Sequence, residues 1–228
     1  MLFDLITGND MSLTNVIIYI LSALTVIFLT MPVHEFAHSF AAYKLGDRAQ
    51  KYSGRLTLNP FAHIDYLGAL AILFVGFGWA KPVNVNPYYF RNHKVGMALT
   101  ALAGPVANLL TAFIAIFFCN LFTFLSFSFS SFAILGYIAL FFEFIGSINL
   151  GLAVFNLVPL PPLDGSKVLA IILPDRIYYK VMEYERYIYF LLIILLVTDV
   201  LTRPINLVTS FIYYAFDLVT ALPFIILI

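Results

Sequence analysis

Residues 12–33 carry no charged side chain, and the apolar run they begin continues to about residue 45. A helix needs about 20 predominantly apolar residues to cross a bilayer, so a run of this length reads as a membrane span. Similar runs lie at about 95–125, 135–158, 188–201 and 205–228. The whole chain of 228 residues is 62% hydrophobic and 11% charged, where soluble domains carry about 25% charged residues. The expected fold is therefore an all-α polytopic membrane protein with about five transmembrane helices, forming a single membrane-embedded domain over 1–228. The first span has a possible N-cap in Ser12 or Thr14 and a stop at Gly46. At about 1.5 Å per residue it exceeds the roughly 30 Å hydrocarbon core, so it must tilt, protrude or bend at Pro32.

Two shorter stretches behave differently. "YLGALAILFVGFGWAKPVNVNP" has only about a dozen apolar residues before Trp79, Lys81 and Pro82, a length more typical of re-entrant segments. It is expected to enter and leave on one side. "KYSGRLTLNP" is polar and partly alternating, which predicts a short β element at the surface on the cytoplasmic side. On this layout Lys44, Arg48, Lys51, Arg55, Lys81, Arg91, Lys94, Lys167, Arg176, Lys180 and Arg186 share one side, and only Arg203 falls on the other. The positive-inside rule then puts the N-terminus outside and the loops at 46–66, 80–94 and 159–187 in the cytoplasm.

Net charge is zero and no basic or acidic block occurs, so a nucleic-acid partner is not expected and the lipid bilayer is the main surroundings. Asp4 and Asp10 precede the first span with no Lys or Arg. That pattern lacks the basic region of a secretory signal, and the first segment is expected to be retained. The one cysteine, Cys119, lies in an apolar run and reads as a small buried hydrophobe.

Within the first span stands "HEFAH", residues 34–38. On a helix His34 and His38 are one turn apart on one face, where two imidazoles can hold one metal ion. Glu35 points about 100° away, which suits it less as a ligand than as the base that takes a proton from a metal-bound water. Zinc lowers the pKa of bound water to about 7, so zinc-dependent peptide hydrolysis is the expected chemistry. Three ionisable residues inside a membrane span are costly without partners, which favours a site over a solvated helix end.

A catalytic zinc usually takes a third protein ligand. His93 sits in a basic loop. His63 and Asp65 read first as residues that fix a turn. "NLVPLPPLDGSKVL", residues 156–169, offers Asp164 at the cytoplasmic side, as a helix N-cap, as a ligand or as both. Asn149 and Asn156 share a helix face; they could line the site or bond across helices. Glu143 could be a hydrogen-bonded protonated group or flank a water path. Gly104 and Asn108 in "AGPVAN" read first as close helix packing, with Asn108 a candidate for contact with the site.

"HEFAH", "GRLTLNPFAHIDYLGAL", "GWAKPVNVNP", "ALAGPVANLL" and "NLVPLPPLDG", in this order, resemble the site-2 protease family of intramembrane zinc metalloproteases. The resemblance implies Zn2+ held by His34, His38 and Asp164, with Glu35 as catalytic base. It implies cleavage of a peptide bond in or near the transmembrane segment of a membrane protein substrate, with Asn156 holding substrate backbone or oxyanion. It also implies that a strand at about 52–58 pairs with the unwound substrate. The chain resembles a minimal prokaryotic form without PDZ or CBS domains, an integral protein of the cell membrane. No oligomeric state follows from it. The rival reading is a membrane metal-ion transporter or sensor that uses the same His, Asp and Glu residues. Transit pathways need polar groups at several depths, and the outer half here is nearly all hydrocarbon.

Overall fold

The computed structural model describes residues 12–75, 79–81, 83–129 and 132–226. The first element is a continuous rod over Leu13–Lys44, built from α1 (Leu13–Thr25), a π turn (Val26–Thr30) and α2 (Met31–Lys44). Ser12 caps it, its side chain accepting the Asn15 N–H. Pro32 has no N–H and its ring crowds the carbonyl four residues earlier. The π turn absorbs this: Met31 N–H reaches back five residues to the Val26 carbonyl. The deviation expected at Pro32 is thus made in the turn immediately before "HEFAH".

The chain continues through α3 (Ala49–Tyr52), α4 (Tyr66–Val75), α5 (His93–Ser128), α6 (Ala133–Asn156), α7 (Gly165–Ile172), α8 (Asp175–Glu183), α9 (Glu185–Val197) and α10 (Thr202–Ile225). Among the described residues, four segments are long and apolar enough to cross a membrane: Leu13–Lys44, α5, α6 and α10. The fifth span expected at 188–201 is instead α9. Glu185 and Arg186 delay the start of its apolar run, and the turn at Asp199, with φ 59°, follows its end. Its 13 residues extend about 20 Å, well short of the hydrocarbon core.

The short β element is also corrected, for the described residues contain no strand. Backbone groups near residues 55–63 are met by side chains instead of a ladder. His63 Nε2 lies 2.8 Å from the Thr57 carbonyl, and the Arg55 guanidinium donates to the Ala62 carbonyl at 2.8 Å. The two ends of the segment expected to be re-entrant lie together. Lys81 N–H donates to the His63 carbonyl at 2.7 Å, and the Trp79 backbone lies so close to Gly68 that a Cβ there would collide with it. Asp65 accepts the Gly68 N–H at 2.9 Å, so His63 and Asp65 fix this turn. Residues 76–78 of this segment, Pro82, and Asp4 and Asp10 of the signal-peptide argument lie outside the described residues.

Tyr19, Ala23, Val26, Ile27 and Met31 pack against Ile72 of α4, Ala115 of α5, and Ile145, Ile148 and Leu152 of α6. Gly146 lets α5 approach closely, for a Cβ there would stand 2.9 Å from Ile116. Large apolar side chains also face outward in helical stripes, Ile17, Leu21, Leu24 and Phe28 on the first rod and Leu207, Phe211, Tyr214 and Leu218 on α10. Such stripes suit lipid as the solvent.

Ring contacts give the direction of α10. Phe216 meets Phe113, and Phe224 meets Phe117 and Phe124. Its first turn puts Ile205 in a cluster with Phe155 and Leu163. α10 therefore runs parallel to α5, and its N-terminal end sits where α6 ends. Arg203 consequently joins the end of the bundle that holds the other basic residues, which corrects its expected place on the opposite side.

Candidate metal centre

α2, α5 and the start of α7 converge on one buried point. His34 and His38 project from one face of α2 with their Nε2 atoms 3.0 Å apart. Asp164, the residue immediately before α7, directs Oδ2 to within 3.1 Å of His38 Nε2 and 3.5 Å of His34 Nε2. All three residues are buried.

Local sequence explains the position of Asp164. Leu157 closes α6, and the proline-rich turn returns the chain so that Gly165 abuts the Leu157 and Val158 carbonyls, where a Cβ would collide. Glycine there lets α7 begin against the end of α6. Asp164 makes no side-chain cap bond to its helix, so its carboxylate is free for the imidazoles and for Lys167, whose Nζ lies 3.2 Å from Oδ1. Burial alone would raise the Asp164 carboxyl. The charge and hydrogen bonds of the two histidines, with Lys167, hold it well below the usual carboxylate range.

The donor set fits zinc. Donor atoms around a tetrahedral zinc with bonds of about 2.0–2.1 Å stand about 3.3 Å apart, and the three separations bracket that value. His38 Nδ1 lies 2.8 Å from the Thr100 carbonyl, an arrangement that assigns the proton to Nδ1 and leaves Nε2 as the donor. His34 Nδ1 is buried without a hydrogen-bond partner among the described residues. One carboxylate oxygen of Glu35 and one ring nitrogen of each histidine all lie within 4.8 Å of one another.

Gly104 of α5 forms the floor. A Cβ there would overlap His38 Nε2 and the Cε1 atoms of both histidines. Thr100, Gly104 and Asn108 follow at one-turn spacing, so Asn108 continues this stripe and is buried. Asn156 is half-buried, and its amide donates to the Leu152 carbonyl of its own helix at 3.0 Å. Asn149 is buried and likewise donates within its helix, to Ile145, rather than across helices. Glu143 is exposed on α6. The sequence reading left out Lys167 and the Thr100 carbonyl, and treated Gly104 as packing alone. Lys167 carried a signal in its i+3 spacing from Asp164; a backbone carbonyl carries none.

Comparison with known proteins agrees with this chemistry. Residues 124–198 match the sequence profile described as Peptidase family M50, a stretch that includes Asp164. A protein of Bacillus subtilis (strain 168) named "Putative zinc metalloprotease YwhC" is 38% identical over 172 residues, covering 75% of this chain and 78% of that protein. "Putative zinc metalloprotease Rip2" of Mycolicibacterium smegmatis is 25% identical over 191 residues, covering 77% of this chain and 66% of that protein. The Rip2 protein of Mycobacterium tuberculosis (strain ATCC 25618 / H37Rv) is 28% identical over 147 residues, 62% of this chain and 53% of that protein. No solved structure matches. Extended similarity to YwhC across most of both chains, together with a buried His-Glu-His group and several membrane-length helices, identifies this chain as a member of peptidase family M50, a membrane zinc metalloprotease.

Proposed function

We propose that this protein is an intramembrane zinc endopeptidase that hydrolyses a peptide bond in or near the transmembrane segment of a membrane protein substrate. His34, His38 and Asp164 hold the zinc, and Glu35 is the catalytic base. The observation that carries this reading is the convergence of Asp164 Oδ2 with the two histidine Nε2 atoms from separate helices. Family membership favours this reading over the metal-transporter alternative.

A zinc held by these residues would supply Lewis-acid chemistry at a water and at the scissile carbonyl. Glu35 is the group that accepts a proton from the attacking water and returns it to the leaving amine. Thr100 keeps the His38 ring in orientation through its carbonyl. Asn108 and Asn156 are proposed to steady the substrate backbone, Asn156 after release from its bond to Leu152.

The centre lies 11 residues into α5, counting from His93 to Gly104, or about 16 Å along the helix. α5 has 36 residues and extends about 54 Å, so it overshoots the hydrocarbon core. This depth supports a centre near the face of the membrane that carries the basic residues. By the positive-inside rule that face is the cytoplasm. The chain is proposed as a single multi-pass membrane domain over residues 1–228.

The test uses purified protein reconstituted with single-span substrate proteins, wild type beside Glu35→Gln and Asp164→Ala. Glu35→Gln is expected to keep its zinc and lose cleavage, by about 10²–10⁴-fold for a general base. Asp164→Ala is expected to lose both. Cleavage by Glu35→Gln at the wild-type rate would overturn the mechanism. Zinc held normally by Asp164→Ala would overturn the ligand set.

A further inference from the structure

The Asp164 carboxylate divides its two oxygens. Oδ2 faces the imidazoles at 3.1 and 3.5 Å, while Oδ1 receives Lys167 Nζ at 3.2 Å. We infer that Lys167 is a positioning residue for the metal centre, occupying Oδ1 so that Asp164 presents Oδ2 alone to the zinc. The inference rests on the proposed ligand set of His34, His38 and Asp164.

A carboxylate left to itself can turn about its Cβ–Cγ bond and offer either or both oxygens to a cation. Here a half-turn merely swaps equivalent oxygens, while a partial turn that offers both oxygens to the imidazoles would draw Oδ1 away from the Lys167 ammonium. Among the described residues, Lys167 is the only lysine or arginine in an ion pair with Asp164. Asp164 makes no side-chain cap bond to α7 that would compete for the carboxylate. Helix geometry favours the contact. Long side chains on a helix lean toward its N-terminus, so a lysine in the first turn of α7 reaches back over the residue that precedes it.

Both groups are largely withdrawn from water, with side-chain exposures of 12% for Asp164 and 33% for Lys167. The pair is therefore screened less than a surface salt bridge. The backbone beneath is fixed independently, for Ser166 Oγ donates to the Leu163 carbonyl and Gly165 is pressed against the end of α6. Loss of the ammonium is thus expected to free the carboxylate rather than unfold the turn. With Oδ1 held, Asp164 would offer a bound zinc one oxygen, and a fourth position would stay open for water and substrate.

The experiment measures zinc affinity by chelator competition on the detergent-purified full chain, for wild type, Lys167→Met, Lys167→Gln, Lys167→Arg and Asp164→Ala. Cobalt is then substituted and its visible spectrum recorded, because band intensity reports coordination number. Lys167→Met and Lys167→Gln are expected to bind zinc more weakly by about 10–100-fold, the usual effect of removing an outer-shell partner. Their cobalt bands should weaken as the carboxylate turns and adds its second oxygen. Lys167→Arg should restore both readings to within a few-fold of wild type. Melting of the metal-free proteins identifies any variant that fails to fold, and the two neutral replacements differ enough in polarity that one folded variant suffices. Wild-type affinity and an unchanged cobalt spectrum in a folded neutral variant would overturn the role of Lys167 while leaving the ligand set intact. Zinc bound equally well by Asp164→Ala would overturn the ligand set and this inference together.

Discussion

Gly104 lies directly beneath His38, so close that a Cβ at position 104 would occupy the space of the imidazole Nε2. The obstruction is the far end of a side chain, which can move, and not fixed backbone. Gly104→Ala should therefore fold yet push both histidine rings out of register. We expect zinc affinity to fall by at least about 10-fold, comparable to losing an outer-shell partner, with cleavage falling alongside. Chelator competition together with melting of the metal-free protein separates this from general destabilisation. Unchanged zinc affinity would show that the rings sit higher above α5 than described.

Zinc should also tie two parts of the chain together, since His34 and His38 belong to the first rod and Asp164 follows α6. A ligand present at 100 times its dissociation constant stabilises the folded state by about 2.7 kcal/mol. At roughly 2–4 °C per kcal/mol for a chain of this size, added zinc should raise the melting temperature of chelator-stripped protein by about 5–10 °C. Asp164→Ala should show little of that rise at the same zinc concentration. An equal rise in both proteins would place the stabilising zinc elsewhere.

The parts of the site that were legible in the sequence are those that depend on one turn of helix. His34, Glu35 and His38 could be placed because a 3.6-residue period puts i and i+4 on one face whatever surrounds them. Asp164 needed the topology as well, and its pairing with the histidines came from the resemblance rather than from spacing. Two expectations failed for physical reasons. "RLTL" alternates as a strand would, yet alternation does not provide a partner strand, and the backbone near it bonds to His63 and Arg55. The apolar run at 188–201 has no inherent direction. The meeting of Phe216 with Phe113 and Phe224 with Phe124, and of Ile205 with Phe155 and Leu163, shows that α10 runs beside α5 in the same sense.

Asn120 holds α10 to α5 far from the metal centre. Its amide donates at 2.9 Å to both Asp217 Oδ1 and Thr220 Oγ1. Hydrogen bonds between membrane helices are worth about 0.6 kcal/mol each on average, so Asn120→Leu should cost about 1 kcal/mol. Zinc affinity should not change, because Asn120 stands 16 residues beyond Gly104 on the same helix. Equilibrium unfolding in mixed detergent, paired with chelator competition, checks both halves. A loss of zinc affinity in this variant would mean that the far end of α10 governs the centre.

Gly68 is the contact point between α4 and the returning chain, where the Trp79 backbone comes too close to admit a Cβ. Backbone cannot retreat as a side chain can. Gly68→Ala should therefore part the two arms near the Lys81 to His63 hydrogen bond, at a cost of about 1–3 kcal/mol for overpacking. Protease sensitivity between residues 62 and 90 should rise first. Wild-type resistance and stability would show that α4 and the returning segment are not in contact there.

The parallel course of α5 and α10 makes a prediction about sidedness that differs from the one the apolar runs suggest. If Ile205 begins α10 beside Phe155 and Leu163, residue 203 lies at the basic end of the bundle and residue 225 at the opposite end. Cys119 is the one native cysteine, and it is buried, so Cys119→Ala gives a background for single-cysteine labelling. Cysteine introduced at 203 should react with a membrane-impermeant maleimide from the same side as cysteine introduced at 48 or 91. Cysteine introduced at 225 should react only from the other side, with labelling in sealed vesicles of both orientations as the readout. All twelve Lys and Arg residues would then share one side, which strengthens the orientation bias set by short basic loops. Reaction of position 203 from the side opposite to position 48 would instead require α9 to cross the membrane, reversing the direction assigned to α10.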